Sequence, residues 1–149
     1  MLSEKISLEL KDSTTLKNLV ELFAKEAQTL MRYRRFASTA KYEAFPKIAE
    51  LFERLAQNQT VLVDGHLDFL RTVNDPLSGL PLGQTSDNLN AALASEDALR
   101  RLYPLAAGTA EREGFVDIAS WLRSTAASKK VHCERISAAI RESSETREP

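Results

Sequence analysis

Apolar residues recur along most of this chain on a period of 3.6, and four long stretches follow that rhythm. The first opens at Ser13-Thr14-Thr15, which offers an N-cap, and runs to about Tyr42 with Leu16, Leu19, Phe23, Leu30, Tyr33 and Ala37 on one face. Tyr42-Glu43-Ala44-Phe45-Pro46 breaks it, and Pro46 suits the first turn of a second helix reaching about Leu70. That helix turns Ile48, Leu51, Phe52, Leu55, Leu62, His66 and Phe69 inward. A third helix, capped by Thr85, Ser86 or Asp87, carries Leu89, Ala92, Leu93, Leu99 and Tyr103, and Pro104 within it should bend it or reset its start. Glu113-Gly114-Phe115 ends it. The fourth runs to about Ile140, with Ile118, Trp121, Leu122, Thr125 and Ile136 on its inner face.

The pattern also repeats. A shift of 70 positions lays Thr15, Asn18, Leu19, Ala24, Glu26, Tyr33, Ala37, Thr39, Ala40, Glu43, Phe45, Ile48, Ala49, Ala56 and Val61 on identical residues, without a gap, over about fifty positions. The chain is therefore two copies of one helical hairpin, joined by the Pro- and Gly-rich loop RTVNDPLSGLPLGQTSD. Two hairpins and a long crossover predict an all-α fold: a four-helix bundle with a site between facing helices. Residues 1–149 make a single domain, with 1–12 and 141–149 as terminal extensions, the last of them polar and frayed.

Polar residues interrupt the inner faces at one level. Glu26 and Glu96 are repeat mates, as are Gln59 and Lys129, and Leu62 and His132. These positions form one central layer about a pseudo-two-fold axis. A lysine facing a core requires a negative partner, and Glu26 and Glu96 are the candidates. His66 reads as a hydrogen-bonded core histidine, and Tyr33 and Tyr103 as packing residues near the layer. Cys133, next to His132, points elsewhere, because adjacent helix positions face differently. Glu43 and Glu113 read as turn residues, and Arg32, Arg34 and Arg35 as a solvated face or dimer rim.

Composition narrows the function classes. With 43% hydrophobic residues, 28% charged residues and a net charge of −1, the chain is of ordinary globular type and has no basic footprint for nucleic acid or anionic membrane. No apolar run is long enough to span a bilayer, and MLSEKISLELKD lacks the pattern of a signal peptide, so the expected compartment is cytoplasmic. One cysteine, Cys133, excludes an intrachain disulfide and a cysteine-based zinc site.

The stretch AKEAQ around Glu26, EAFPKIAELFERLA, VDGHLDFL with its following DPLSGLPLGQTSDNL, ASEDALRRLYP and EREGFVDIASWL together resemble the rubrerythrins, within the ferritin-like di-iron superfamily. The resemblance runs from about Thr15 to Ile140. The four-cysteine module that many rubrerythrins append has no counterpart here. The family pattern implies one Glu on each of the first and third helices and Glu-x-x-His on each of the second and fourth, often with a further Glu three residues after the one on the third. Two irons need bridging and terminal carboxylates and a nitrogen ligand apiece, all from one layer.

Carried over position by position, Glu26 and Glu96 match the helix carboxylates and His132 matches the fourth-helix histidine. Gln59 stands at one bridging Glu and Lys129 at the other, Leu62 at the second histidine and Leu99 at the additional carboxylate. An ammonium at the bridge opposes two dications. The expectation is a layer without metal, in which Lys129, and His132 when protonated, compensate Glu26 and Glu96 while Gln59 satisfies remaining hydrogen bonds. Replacing Lys129 by Met should destabilise the bundle by about 3–5 kcal/mol, the usual cost of orphaning a buried charge.

Two functions from different classes follow. One is a non-catalytic bundle, with no catalytic residue and no cofactor, that binds a protein partner or a small ligand. The other is an enzyme holding one iron or another divalent metal on Glu26, Glu96 and His132, or a residual di-iron centre, and acting on peroxide, dioxygen or iron. Lysine as a covalent catalyst is opposed by the neighbouring carboxylates. The resemblance also implies a homodimer, with or without exchange of helices.

Overall fold

The computed structural model describes residues 9–146, so residues 1–8 of the amino-terminal extension and 147–149 of the tail lie outside the description. Among the described residues four long helices follow one another: α1 (Thr14–Tyr42), α2 (Pro46–Leu70), α3 (Thr85–Arg112) and α4 (Val116–Glu145). The class is all-α, and the connectivity is that of a ferritin-like four-helix chain: hairpin, long crossover, hairpin. The chain divides between Pro76 and Leu77 into two compact units, hairpin 1 (α1 and α2) and hairpin 2 (α3 and α4).

Local chemistry sets most of the ends. Ser13 caps α1, its Oγ accepting from the Leu16 N–H at 3.0 Å. Pro46 occupies the first turn of α2, where its missing N–H costs nothing. The start of α3 differs from the expectation: Gln84 is its N-cap and makes no side-chain cap bond. Asn88 instead reaches back, its Oδ1 accepting from the Gly83 N–H at 2.7 Å, and Asp87 puts a negative charge in the positive first turn. Pro104 does not restart α3, which passes through it unbroken. The missing hydrogen bond is tolerated because Ala107 and Ala110, one and two turns on, are locked in the hairpin contact. Nor does α4 stop near Ile140: residues Arg141–Glu145 stay helical.

The two turns are built alike. In hairpin 1 the Phe45 N–H donates to the Ala40 carbonyl at 2.8 Å and the Ala44 N–H to Lys41 at 3.1 Å; in hairpin 2 Phe115 donates to Ala110 at 2.8 Å and Gly114 to Glu111 at 3.1 Å. This is the paired closure of a Schellman motif, which requires one left-handed residue. Gly114 fills that place at φ 86° and its repeat mate Ala44 fills it at φ 63°. The repeat is thus structural as well as textual.

Each hairpin closes on a seam of alanines. Ala37, Ala40, Ala49 and Ala56 are buried in hairpin 1, and Ala91, Ala107, Ala110 and Ala119 in hairpin 2. Small side chains let the paired backbones approach closely, and three of these contacts are repeat mates. Hairpin 1 adds aromatic packing, with Phe52 against Phe36 at 5.3 Å and Tyr33 at 6.0 Å between centroids, and the Arg32 guanidinium over Phe36.

The apolar stripes are wider than one neighbouring helix can cover. Ile48, Leu51, Leu62 and Phe69, and in hairpin 2 Ile118 and Trp121, were expected inward and are exposed, Trp121 by 69%. Periodicity assigns a face; it does not measure how much of that face one neighbour covers.

Replacing Gly114 by Ala should cost hairpin 2 about 1 kcal/mol, since a Cβ is disfavoured at that φ. Ala44→Gly should be neutral or slightly stabilising, because relief of strain is offset by greater freedom of the unfolded chain. Urea denaturation of both variants checks the pair, and a loss in Ala44→Gly larger than in Gly114→Ala contradicts it.

Candidate functional site

Each hairpin carries its own polar cluster, placed by the alanine seam. In hairpin 1, Gln59 is the buried polar side chain of α2, with 6% of its surface exposed. It lies one turn beyond Ala56 and faces α1. Its amide nitrogen donates to the Glu26 carboxylate and, at 3.2 Å, to the Glu26 backbone carbonyl. A neutral amide therefore holds a carboxylate whose repeat mate, Glu96, meets charge.

In hairpin 2, Lys129 Nζ lies 2.9 Å from Glu96 Oε1, and His132 Nδ1 lies 3.2 Å from Glu96 Oε2. Lys129 and His132 are one turn apart on α4, so each takes one oxygen of the same carboxylate. Side-chain exposure is 19% for Lys129 and 20% for Glu96, while His132 is 48% exposed. The lysine and glutamate are thus half-buried and the histidine stands at the rim, more open than its helical face suggested. Burial pushes the Glu96 carboxyl up, but the hydrogen bonds from Lys129 and His132, with their charges, outweigh it and hold the group below its ordinary value.

The sequence-predicted residues thus appear as two clusters, Glu26 with Gln59 and Glu96 with Lys129 and His132. Leu62, the repeat mate of His132, is exposed and offers no ligand atom. His66 Nδ1 donates to the Leu62 carbonyl at 2.6 Å, a local bond within α2. Cys133 lines a cavity with Leu93, Asp97 and Ser137. Among the described residues no group of three or more His, Cys, Asp or Glu side chains is arranged to hold a metal ion.

Two interhelical ion pairs escaped the sequence reading: Lys41 with Glu53 in hairpin 1, and Glu111 with Arg123 in hairpin 2. A comparison restricted to identical repeat mates overlooks them, since Lys41 aligns with Glu111 and Glu53 with Arg123. Charge reversal between the copies was the signal.

Lys129→Met should destabilise the protein by about 2–3 kcal/mol, less than the roughly 3–5 kcal/mol for orphaning a fully buried charge, because part of the carboxylate can still be hydrated. A loss below about 1 kcal/mol in urea denaturation would mean that Glu96 does not depend on the lysine. The lowered Glu96 pKa contributes stability that is present above the ordinary carboxylate value of about 4.3 and is lost as pH falls through the lower folded value. Glu96→Gln should therefore flatten the fall in stability below about pH 4.3. Parallel slopes for parent and variant in acid titrations followed by circular dichroism exclude that contribution.

Comparison with known proteins bears on these clusters. The family profile described as Rubrerythrin matches residues 17–78 and 87–149, one segment for each hairpin. The chain is 35% identical over 141 residues to Rubrerythrin-1 of Clostridium acetobutylicum, covering 89% of this chain and 72% of the relative. It is 38% identical over 133 residues to the rubrerythrin of Porphyromonas gingivalis, covering 85% and 66%. With the rubrerythrin of Nitratidesulfovibrio vulgaris it shares 31% identity over 131 residues, covering 85% and 69%. Matches of this extent, spanning both hairpins of an all-α chain, establish that the chain belongs to the rubrerythrin family.

Proposed function

We propose that this chain is a rubrerythrin-family protein that has given up the di-iron centre and works as a non-catalytic binding protein. In this reading Glu26, Gln59, Glu96, Lys129 and His132 compose one central polar layer of a single four-helix domain. The observation that carries it is the 2.9 Å bond between Lys129 Nζ and Glu96 Oε1. At a position that the family pattern gives to a bridging carboxylate, the chain places a cation, already engaged with one of the carboxylates that iron would need. Gln59 acts in the same direction, spending its amide on the Glu26 carboxylate. The donor set does not fit two irons: Glu26, Glu96 and His132 remain, and each of the three already has a partner within the chain.

The layer would then serve stability, and the activity would lie in binding. The occupant is a protein partner or a small ligand, met by a cytosolic homodimer. No helix among the described residues is long and apolar enough to cross a membrane.

A second reading is supported by His132, whose exposed ring shares the Glu96 carboxylate with Lys129. Were the lysine to withdraw, Glu96 and His132, with Glu26, could hold one iron or another divalent ion and support oxidoreductase chemistry on peroxide, dioxygen or iron.

Metal content of the untagged protein, expressed in iron-rich medium and purified without chelator, separates these readings. Near-zero metal in the parent, with uptake gained by a Gln59→Glu, Lys129→Glu double variant, is the expected outcome. About one ion per chain, lost in His132→Ala, replaces it with the single-metal reading, and two irons per parent chain overturn it.

A further inference from the structure

A chain made of two copies of one hairpin has a pairing problem. The alanine seams are nearly interchangeable: Ala37, Ala40 and Ala49 of hairpin 1 match Ala107, Ala110 and Ala119 of hairpin 2, and all six are buried. Until the three-residue turns close, packing alone would let α1 pair with α4 and α3 with α2, within one chain or between two copies. The polar clusters hardly oppose that exchange. Glu26 would meet Lys129, and Glu96 would meet Gln59, so each carboxylate would still find a donor.

The ends nearest the turns are different. In hairpin 1 the Lys41 ammonium of α1 meets the Glu53 carboxylate of α2, and in hairpin 2 the Glu111 carboxylate of α3 meets the Arg123 guanidinium of α4. These are the same two repeat positions with the polarity reversed. In exchanged hairpins Lys41 would face Arg123, and Glu53 would face Glu111. Both native attractions would become repulsions.

We infer that the reversed ion pairs Lys41–Glu53 and Glu111–Arg123 are the recognition surface by which each helix selects its own hairpin partner over the repeat-related helix of the same chain or of a second copy. Such selection fixes the composition of the polar clusters, keeping Gln59 with Glu26, and Lys129 and His132 with Glu96. All four side chains are well exposed, from 43% for Glu53 to 63% for Lys41, so a single pair is weak. The discrimination comes from two attractions set against two repulsions, on the order of tenfold in the ratio of native to exchanged pairing. Salt should erase it.

The test inverts one pair without removing it. In the full chain, Lys41→Glu with Glu53→Lys retains an ion pair in hairpin 1 but gives it the polarity of hairpin 2, so exchanged pairing becomes attractive as well. Native recovery on refolding by dilution from urea at low salt, read by size-exclusion chromatography and circular dichroism, should fall to about half that of the parent, as loss of a roughly tenfold preference requires. The deficit should vanish in about 1 M sodium chloride, where the screening length is about 3 Å. Adding Glu111→Lys and Arg123→Glu restores opposite polarity and should restore recovery. If the first double variant does not fold at all, Glu111→Lys with Arg123→Glu alone makes the same demand from the other hairpin. Parental recovery by either double variant at low salt, or no rescue in the quadruple variant, overturns the inference.

Discussion

Close contact between paired helices, through alanine, is the constraint on which the rest of the molecule depends. Ala37, Ala40, Ala49 and Ala56 in hairpin 1, and Ala107, Ala110 and Ala119 in hairpin 2, leave little side chain between the backbones. Once those positions face each other, the helical period determines what else must meet. Gln59, one turn beyond Ala56, is carried against Glu26. In hairpin 2 the same register brings Lys129 and His132 to Glu96. Polar residues in these seams must satisfy one another, because few other groups are within reach.

The two clusters solve the same physical problem differently. A carboxylate withdrawn from water must be matched by hydrogen bonds or by opposite charge. Glu26 receives an amide and Glu96 receives an ammonium, with an imidazole on its second oxygen. In a family whose pattern implies iron ligands at these positions, a lysine in the seam changes the character of the site. It places a positive charge from within the chain against the Glu96 carboxylate. Lys129 lies 2.9 Å from the Glu96 carboxylate, and the Gln59 amide donates to that of Glu26, so each carboxylate is met from the facing helix of its own hairpin.

Much of this was readable from residue order. The 3.6-residue stripes located four helices, and the shift of 70 positions exposed the repeat and predicted which residues share a level. Within each hairpin, Gln59 bonds to Glu26 and Lys129 to Glu96, at repeat-related positions. The helix limits were less legible. Asn88 and Gly83, rather than a side-chain cap bond from Thr85, Ser86 or Asp87, secure the start of α3, and α4 persists beyond Ile140 through residues of polar type. Propensity near a helix end is weak and neighbouring contacts outweigh it.

The sequence by itself determined the class, the repeat and the family resemblance, because these depend on residue order and on spacing along a regular helix. Only the tertiary structure decided how deeply each group is withdrawn from water and which oxygen it meets. Lys129 and Glu96 are half-buried, His132 stands at the rim, and Trp121 and Ile118 remain exposed on a face that periodicity marks as inner. Burial is a property of the neighbours that arrive on a face, and spacing within one helix carries no measure of how far they extend.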